Sequence, residues 1–157
     1  MELLEREELF DELEGILEGV AAGSGRIVLV SGEAGIGKTT LVEGFAERHN
    51  TKARVFWGAC DALFTPRPLG PLYDIAPQTQ GELLTLLEQQ APRPSIFSAV
   101  VDELQKTKAP SITVVEDVHW ADEATLDLLK FLGRRISRTK AMPVSYTHLT
   151  LPTILRV

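Results

Sequence analysis

Gly32-Glu33-Ala34-Gly35-Ile36-Gly37-Lys38-Thr39 decides how the rest of this chain is read. The octet fits the pattern G-x-x-x-x-G-K-[ST], and its flanks suit that pattern. The β-branched run Ile27-Val28-Leu29-Val30 leads in as a strand, and Thr40-Leu41-Val42-Glu43-Gly44-Phe45-Ala46 leads out with helical spacing. A polyphosphate needs many short-range donors. Backbone N–H groups just ahead of a helix N-terminus supply them, together with the positive end of the helix dipole. Glycines let the main chain approach phosphates without a Cβ, and they adopt φ > 0 where the turn requires it. Gly32, Glu33, Ala34, Gly35, Ile36, Gly37, Lys38, Thr39 and Thr40 are therefore the expected phosphate-binding residues. Lys38 is expected to reach the β- and γ-phosphates, and the Thr39 hydroxyl to enter a Mg²⁺ shell. The competing reading, an ordinary glycine-rich strand-to-helix turn, is disfavoured by the strand before and the helix after.

The chain has 157 residues of which 44% are apolar, enough to bury one sizeable core as a single domain. Its formal net charge of -6 argues against a nucleic-acid surface, because phosphate backbones are held by clustered Lys and Arg. The one cysteine, Cys60, has no internal disulfide partner, which fits a reducing compartment. No apolar stretch approaches the ~20 residues needed to cross a bilayer. The acidic start Met1-Glu2-Leu3-Leu4-Glu5-Arg6-Glu7-Glu8 is not a secretory signal. The expected setting is the cytoplasm, without a membrane partner.

Outward from the octet, Leu3, Leu4, Leu9, Phe10, Leu13, Ile16, Leu17 and Val20 recur with a helical period, ending near Gly23-Ser24-Gly25. Strands are predicted at 27–31, 53–60 and 111–115, and helices at 38–48, 81–90, 94–106 and 122–137, with Asp122 as an N-cap. Thr65-Pro66-Arg67-Pro68-Leu69-Gly70-Pro71 carries three prolines and is predicted as a loop. Strands alternating with helices imply an α/β fold: a parallel sheet flanked by helices in three layers, of the phosphate-loop NTPase kind.

Ile112-Thr113-Val114-Val115-Glu116-Asp117 ends a buried strand with two adjacent carboxylates. Strand C-termini in such sheets line the crevice that holds the phosphate loop, so Glu116 and Asp117 are expected to face the nucleotide. Mg²⁺ is a hard cation that takes oxygen ligands. One carboxylate suits its shell and the other the polarisation of attacking water. Phosphate-loop ATPases usually place Asp first; here Glu116 precedes Asp117, which leaves the division of roles open, with Asp117 favoured as essential and Glu116 as sharing the metal. The bland reading of the pair is an N-cap or solvated acidic surface. His119 reads equally as a sensor of the γ-phosphate or as a packing histidine. Trp120 is expected as a core anchor, and Cys60 as buried filler rather than a nucleophile.

On four stretches the chain resembles the STAND-type, AAA-like ATPase modules of LuxR-type transcriptional regulators and of some adenylate/guanylate cyclases. These are Arg6-Glu7; Val30-Ser31 with the octet; Trp57-Gly58-Ala59-Cys60-Asp61 with Thr65 to Leu72; and Glu116-Asp117-Val118-His119-Trp120-Ala121-Asp122-Glu123. The resemblance covers roughly residues 1–142, and the His-Trp-Ala-Asp continuation is its most specific part. It implies ATP as the nucleotide, with Mg²⁺, and a regulatory switch whose output comes from other domains of a larger protein. It also implies that Arg6 lies near the adenine.

The end of the chain departs from that pattern. Relatives continue with an apolar strand closing on a polar sensor residue, then a lid and a helical region. Val144 to Val157 is instead similar to a translated sequencing-adapter tail, and no Asp or Glu follows Asp127. Residues 143–157 are thus expected to be a non-native tail on a truncated ATPase domain, residues 1–142. A divergent strand over 144–151 is the alternative. In this class of sheet the missing strand lies between the carboxylate strand and the phosphate-loop strand, and residues 142–147 are predicted to be pressed into that slot. Without a sensor strand, lid or arginine finger, slow or no ATP hydrolysis is expected of the fragment. The rival functions are a free-standing small-molecule kinase, for which Arg67 alone offers a lid arginine, and a nucleotide-independent scaffold, disfavoured by Lys38 and Thr39.

Overall fold

A computed structural model of the chain describes residues 3–31, 37–62, 67–106, 108–147 and 154–156. Gly32, Glu33, Ala34, Gly35 and Ile36, the first part of the phosphate loop, lie outside the described residues, as do Thr65 and Pro66 of the proline-rich loop. In chain order the elements are α1 (Leu3–Ala21), β1 (Val28–Ser31), α2 (Lys38–His49), β2 (Arg54–Ala59), α3 (Gly70–Ile75), α4 (Leu83–Glu88), α5 (Arg93–Gln105), β3 (Ser111–Glu116), α6 (Glu123–Arg135), β4 (Ala141–Thr147) and β5 (Ile154–Arg156).

The strands form one sheet in the order β2-β3-β4-β1-β5. The first four are mutually parallel. Their near-continuous apolar runs fit a sheet covered on both faces. On one face Leu13 and Val20 of α1 and Leu41 and Phe45 of α2 pack against Val28, Val30, Ile112, Val114, Met142 and Val144. On the other, α3 to α6 contribute Leu72, Leu83, Leu87, Val100, Leu128 and Leu132. Fully burying each such side chain stabilises the fold by about 1.5–3 kcal/mol, so the two helical layers hold the sheet between them. The α/β three-layer architecture is therefore the one expected. The parallel rule fails at one edge, where β5 runs antiparallel to β1 through Leu29↔Arg156, Val30↔Leu155 and Ser31↔Ile154.

β4 occupies the slot between β3 and β1. Ala141 to Ser145 pair with Ser111 to Val115, and Val144 to Thr147 pair with Val28 to Ser31. Met142, Val144 and Tyr146 point into the face covered by α1 and α2 and are almost wholly buried. Pro143 leaves a mark on this central strand. The Arg26 N–H donates to the Ala141 carbonyl, so the polar groups of alternate residues 141, 143 and 145 turn toward β1. Pro143 has no N–H to continue that row. Regular pairing of β1 with β4 accordingly begins only at Val28↔Val144.

Two local devices set the loops beside the sheet's C-terminal edge. The side chain of Asp122 caps α6 by accepting from the Thr125 N–H at 3.1 Å, and it also accepts from the Leu69 N–H at 3.2 Å. One carboxylate thus ties the proline-rich loop to the helix that follows β3. At Gly58 a Cβ would stand 2.6 Å from the Pro71 carbonyl oxygen, so α3 lies against β2 more closely than any side chain permits. Trp120 is 47% exposed in the short 3₁₀ turn after β3. The core-anchor expectation for it is corrected: the turn leads the chain out of the sheet before the ring arrives.

Candidate functional site

The site is built where β1, β3 and β4 end side by side. Gly37 opens α2 with φ 88°, a left-handed backbone that glycine adopts without strain. Lys38 and Thr39 are the first two helical residues. Lys38 is only 2% exposed, Thr39 is half-buried and Thr40 is exposed. The first turn of α2 carries no acidic side chain and no side-chain cap, so no carboxylate on the helix competes with an incoming anion.

Across the edge, β3 delivers Glu116 as its last residue and Asp117 directly after it. Asp117 has φ 53° and ψ 46°, the left-handed region, in which Asp is one of the few tolerated non-glycine residues. That turn halts the strand and starts the 3₁₀ turn, whose Trp120 N–H donates to the Asp117 carbonyl at 2.8 Å. Strained backbone of this kind concentrates at functional sites.

Two residues not foreseen as site residues complete the arrangement. The hydroxyl of Tyr146 is hydrogen-bonded to both Thr39 and Glu116, so the C-terminal end of β4 bridges the phosphate-loop helix and the carboxylate strand. Burial raises the Tyr146 phenol well above its ordinary range, and the bond to Glu116 adds to this while that to Thr39 opposes it. From the other side the Trp57 indole Nε1–H donates to Glu116 Oε1. Trp57 lies opposite Val114, and Ala59 opposite Glu116, so Trp57 reaches its partner diagonally across the strand pair. A diagonal contact depends on which residues of two separate strands come opposite each other, and that becomes visible in the folded sheet.

Three oxygen-bearing side chains, from Thr39, Tyr146 and Glu116, therefore converge on one point, and Asp117 follows in the chain. Oxygen donors of this kind fit a hard divalent cation. No group of three or more His, Cys, Asp or Glu side chains is gathered for a metal among the described residues. Arg6 lies in the first turns of α1, half-buried, and no hydrogen bond or ion pair among the described residues links it to these groups. His119 is exposed, with its ring centroid 5.1 Å from that of Trp120. Cys60 is buried, and its thiol is pushed up to about 12 by burial, with Asp122, Asp117, Asp61 and Asp74 adding to the shift. As expected, it is not an activated nucleophile.

Strand order, the Gly37-Lys38-Thr39 helix start and the acidic end of β3 together define a nucleotide-binding protein of the phosphate-loop class. Residues 2–145 match the AAA ATPase domain family, and the chain belongs to that family. The chain is 25% identical, over 91% of its length, to an uncharacterized protein of Rhizobium meliloti (strain 1021). It is 26% identical, over 74% of its length, to hybrid signal transduction histidine kinase G of Dictyostelium discoideum. It spans 18% and 3% of those two relatives. Among solved structures it resembles Cdc6p from Pyrobaculum aerophilum, with a TM-score of 0.63 at 17% identity, over 93% of this chain and 40% of that one. Drosophila ORC bound to DNA gives a TM-score of 0.55 at 19% identity, over 91% of this chain and 37% of that one. These likenesses show the fold.

Proposed function

We propose that this chain is an ATP-binding switch module of a larger signalling or transcriptional regulator. Its nucleotide state would bias output domains elsewhere in the parent protein. The observation that carries this reading is the convergence of Thr39 and Glu116 at the mouth of α2, beside a buried Lys38. In this assignment residues 32–40 wrap the phosphates, and the α2 N-terminus adds its dipole. Thr39 and Glu116 would hold Mg²⁺ with Asp117 beside them, and Asp117 would also be placed to orient water at the γ-phosphate. Bound Mg²⁺ would supply charge neutralisation across the phosphate oxygens. Arg6 remains assigned to the adenine side.

The regulatory role draws support from the signalling relative and from the small share of each curated relative that this chain spans. Residues 1–142 are proposed as the ATPase domain. Residues 143–157 are proposed as a foreign tail whose first residues stand in for the family's own strand. Hydrolysis by this chain is proposed to be slow or absent.

The test is thermal. Mg-ATP at about a hundred times its dissociation constant stabilises a binding-competent fold by about 2.7 kcal/mol, read as a rise in Tm. Lys38→Ala is expected to abolish that rise while leaving the ligand-free Tm within a few degrees. An unchanged Tm at saturating ATP in the parent sequence defeats the proposal and leaves a nucleotide-independent scaffold.

A further inference from the structure

Glu116 is held from two directions by neutral donors. The sheet order places β3 between β2 and β4, so Trp57 approaches the carboxylate from the β2 side and Tyr146 from the side of Thr39. The two donors therefore do different things. Tyr146 stands on the path between Glu116 and Thr39, where a cation shared by those residues would sit. Trp57 stands behind Glu116, out of that path.

Trp57 is itself fixed. Its ring packs against the cluster between the sheet and the α1–α2 layer. Its backbone N–H donates to Gln78 Oε1 at 3.1 Å, and its carbonyl accepts from Gln78 Nε2 at 2.8 Å. The same amide also donates to the Asp74 carbonyl at 2.8 Å, so the clamp is anchored in α3. β2 is the outer strand on this side, and at Trp57 a side-chain amide takes the place of a neighbouring strand. A rigid indole N–H aimed at one carboxylate oxygen restricts the rotation of Glu116.

We propose that Trp57 is a positioning residue for the metal-side carboxylate: its indole N–H holds Glu116 Oε1 from the edge of the sheet and so aims the carboxylate at a divalent cation shared with Thr39, in the place the Tyr146 hydroxyl takes here. The assignment rests on the reading of this site as a Mg-nucleotide site. A partner that orients a ligating group is worth about 10–100-fold in metal affinity. The alternative role for the contact is to satisfy a half-buried indole N–H and nothing more.

The experiment separates the two with a fluorescent ATP analogue and the full chain. Nucleotide affinity is measured in EDTA and then across a Mg²⁺ titration for the parent sequence and for Trp57→Phe. The expected result is a Mg²⁺ midpoint raised about tenfold in Trp57→Phe, with affinity in EDTA unchanged within about twofold. In a Glu116→Gln background the Trp57→Phe effect on the midpoint should vanish. Trp120→Phe leaves Trp57 as the one indole, and adding Mg²⁺ at saturating ATP should then shift its emission without any change at residue 57 itself. Equal Mg²⁺ midpoints, or a Trp57 emission indifferent to Mg²⁺, overturn the assignment while nucleotide binding stands. Failure of the parent sequence to bind the analogue under any condition overturns the site reading, and this assignment with it.

Discussion

Glu116 and Asp117 are adjacent in sequence yet leave the sheet in different backbone states, extended and left-handed. Their position at the end of a strand was legible, because Ile112 to Val115 is a short β-branched run of the kind that forms buried strands, whose ends meet the crevice. What the neighbours of Glu116 do was not legible: Trp57 and Tyr146 reach it through pairings that only the folded sheet sets. Cys60 shows the opposite case, since isolation from any His already argued against nucleophilic use. Its thiol, ordinarily at 9.0, lies at about 12, chiefly through burial. A group raised in this way contributes stability that is intact below pH 9 and is lost as pH climbs through 9 to 12. The denaturant midpoint should therefore fall across that window, and fall less in Cys60→Ala. Alkylation of the native thiol at pH 8 should run two to three orders of magnitude slower than that of the unfolded chain, roughly in proportion to thiolate. Equal rates for native and unfolded protein would contradict the buried placement.

At the level of elements, the helix and strand assignments follow from periodicity and agree to within a few residues, but the loop predicted over 65–71 is corrected at its end: Gly70 and Pro71 open α3, whose first turn tolerates proline. Asp122 reads as a cap from its place at the start of the 122–137 helical run, but its second partner, Leu69, comes from a loop far away in sequence. This explains physically why Asp suits the end of the Trp120-Ala121-Asp122 run: one short carboxylate closes a helix and pins a proline-rich loop. Asp122→Ala should cost about 1–2 kcal/mol from the cap, and more through the freed Leu69 N–H. Chemical denaturation reads this directly, and Asp122→Asn should recover most of the cap. A loss under about 0.5 kcal/mol would mean that the loop and helix dock without it. Gly58 belongs to the same corner, where the Trp57-Gly58 pair meets Pro71. The need for glycine there arises from a helix packed across the strand, which the local pattern does not encode.

For the whole molecule, the order β2-β3-β4-β1-β5 makes β4 the strand on which both halves depend. The slot itself was readable, because a carboxylate strand and a phosphate-loop strand of this class do not pair directly. The antiparallel β5 was not, since three residues at an edge carry no periodicity to read. A chain ending at Lys140 leaves β1 and β3 without a common neighbour and exposes both to solvent. It should show no cooperative thermal transition by circular dichroism, whereas the 157-residue chain should melt in one step. A sharp transition in the shortened chain would show that the sheet closes in another way.

The same strand order carries a consequence for how the molecule comes into being. The parallel partner of Val28 is Val144, far along the chain. During synthesis an apolar β1 must wait with both flanks open until the residues that separate it from its partners are made. Long-range closure of this kind is slow, and waiting strands are sticky. The nascent chain therefore has its greatest need of a chaperone after α1 has emerged and before β4 arrives.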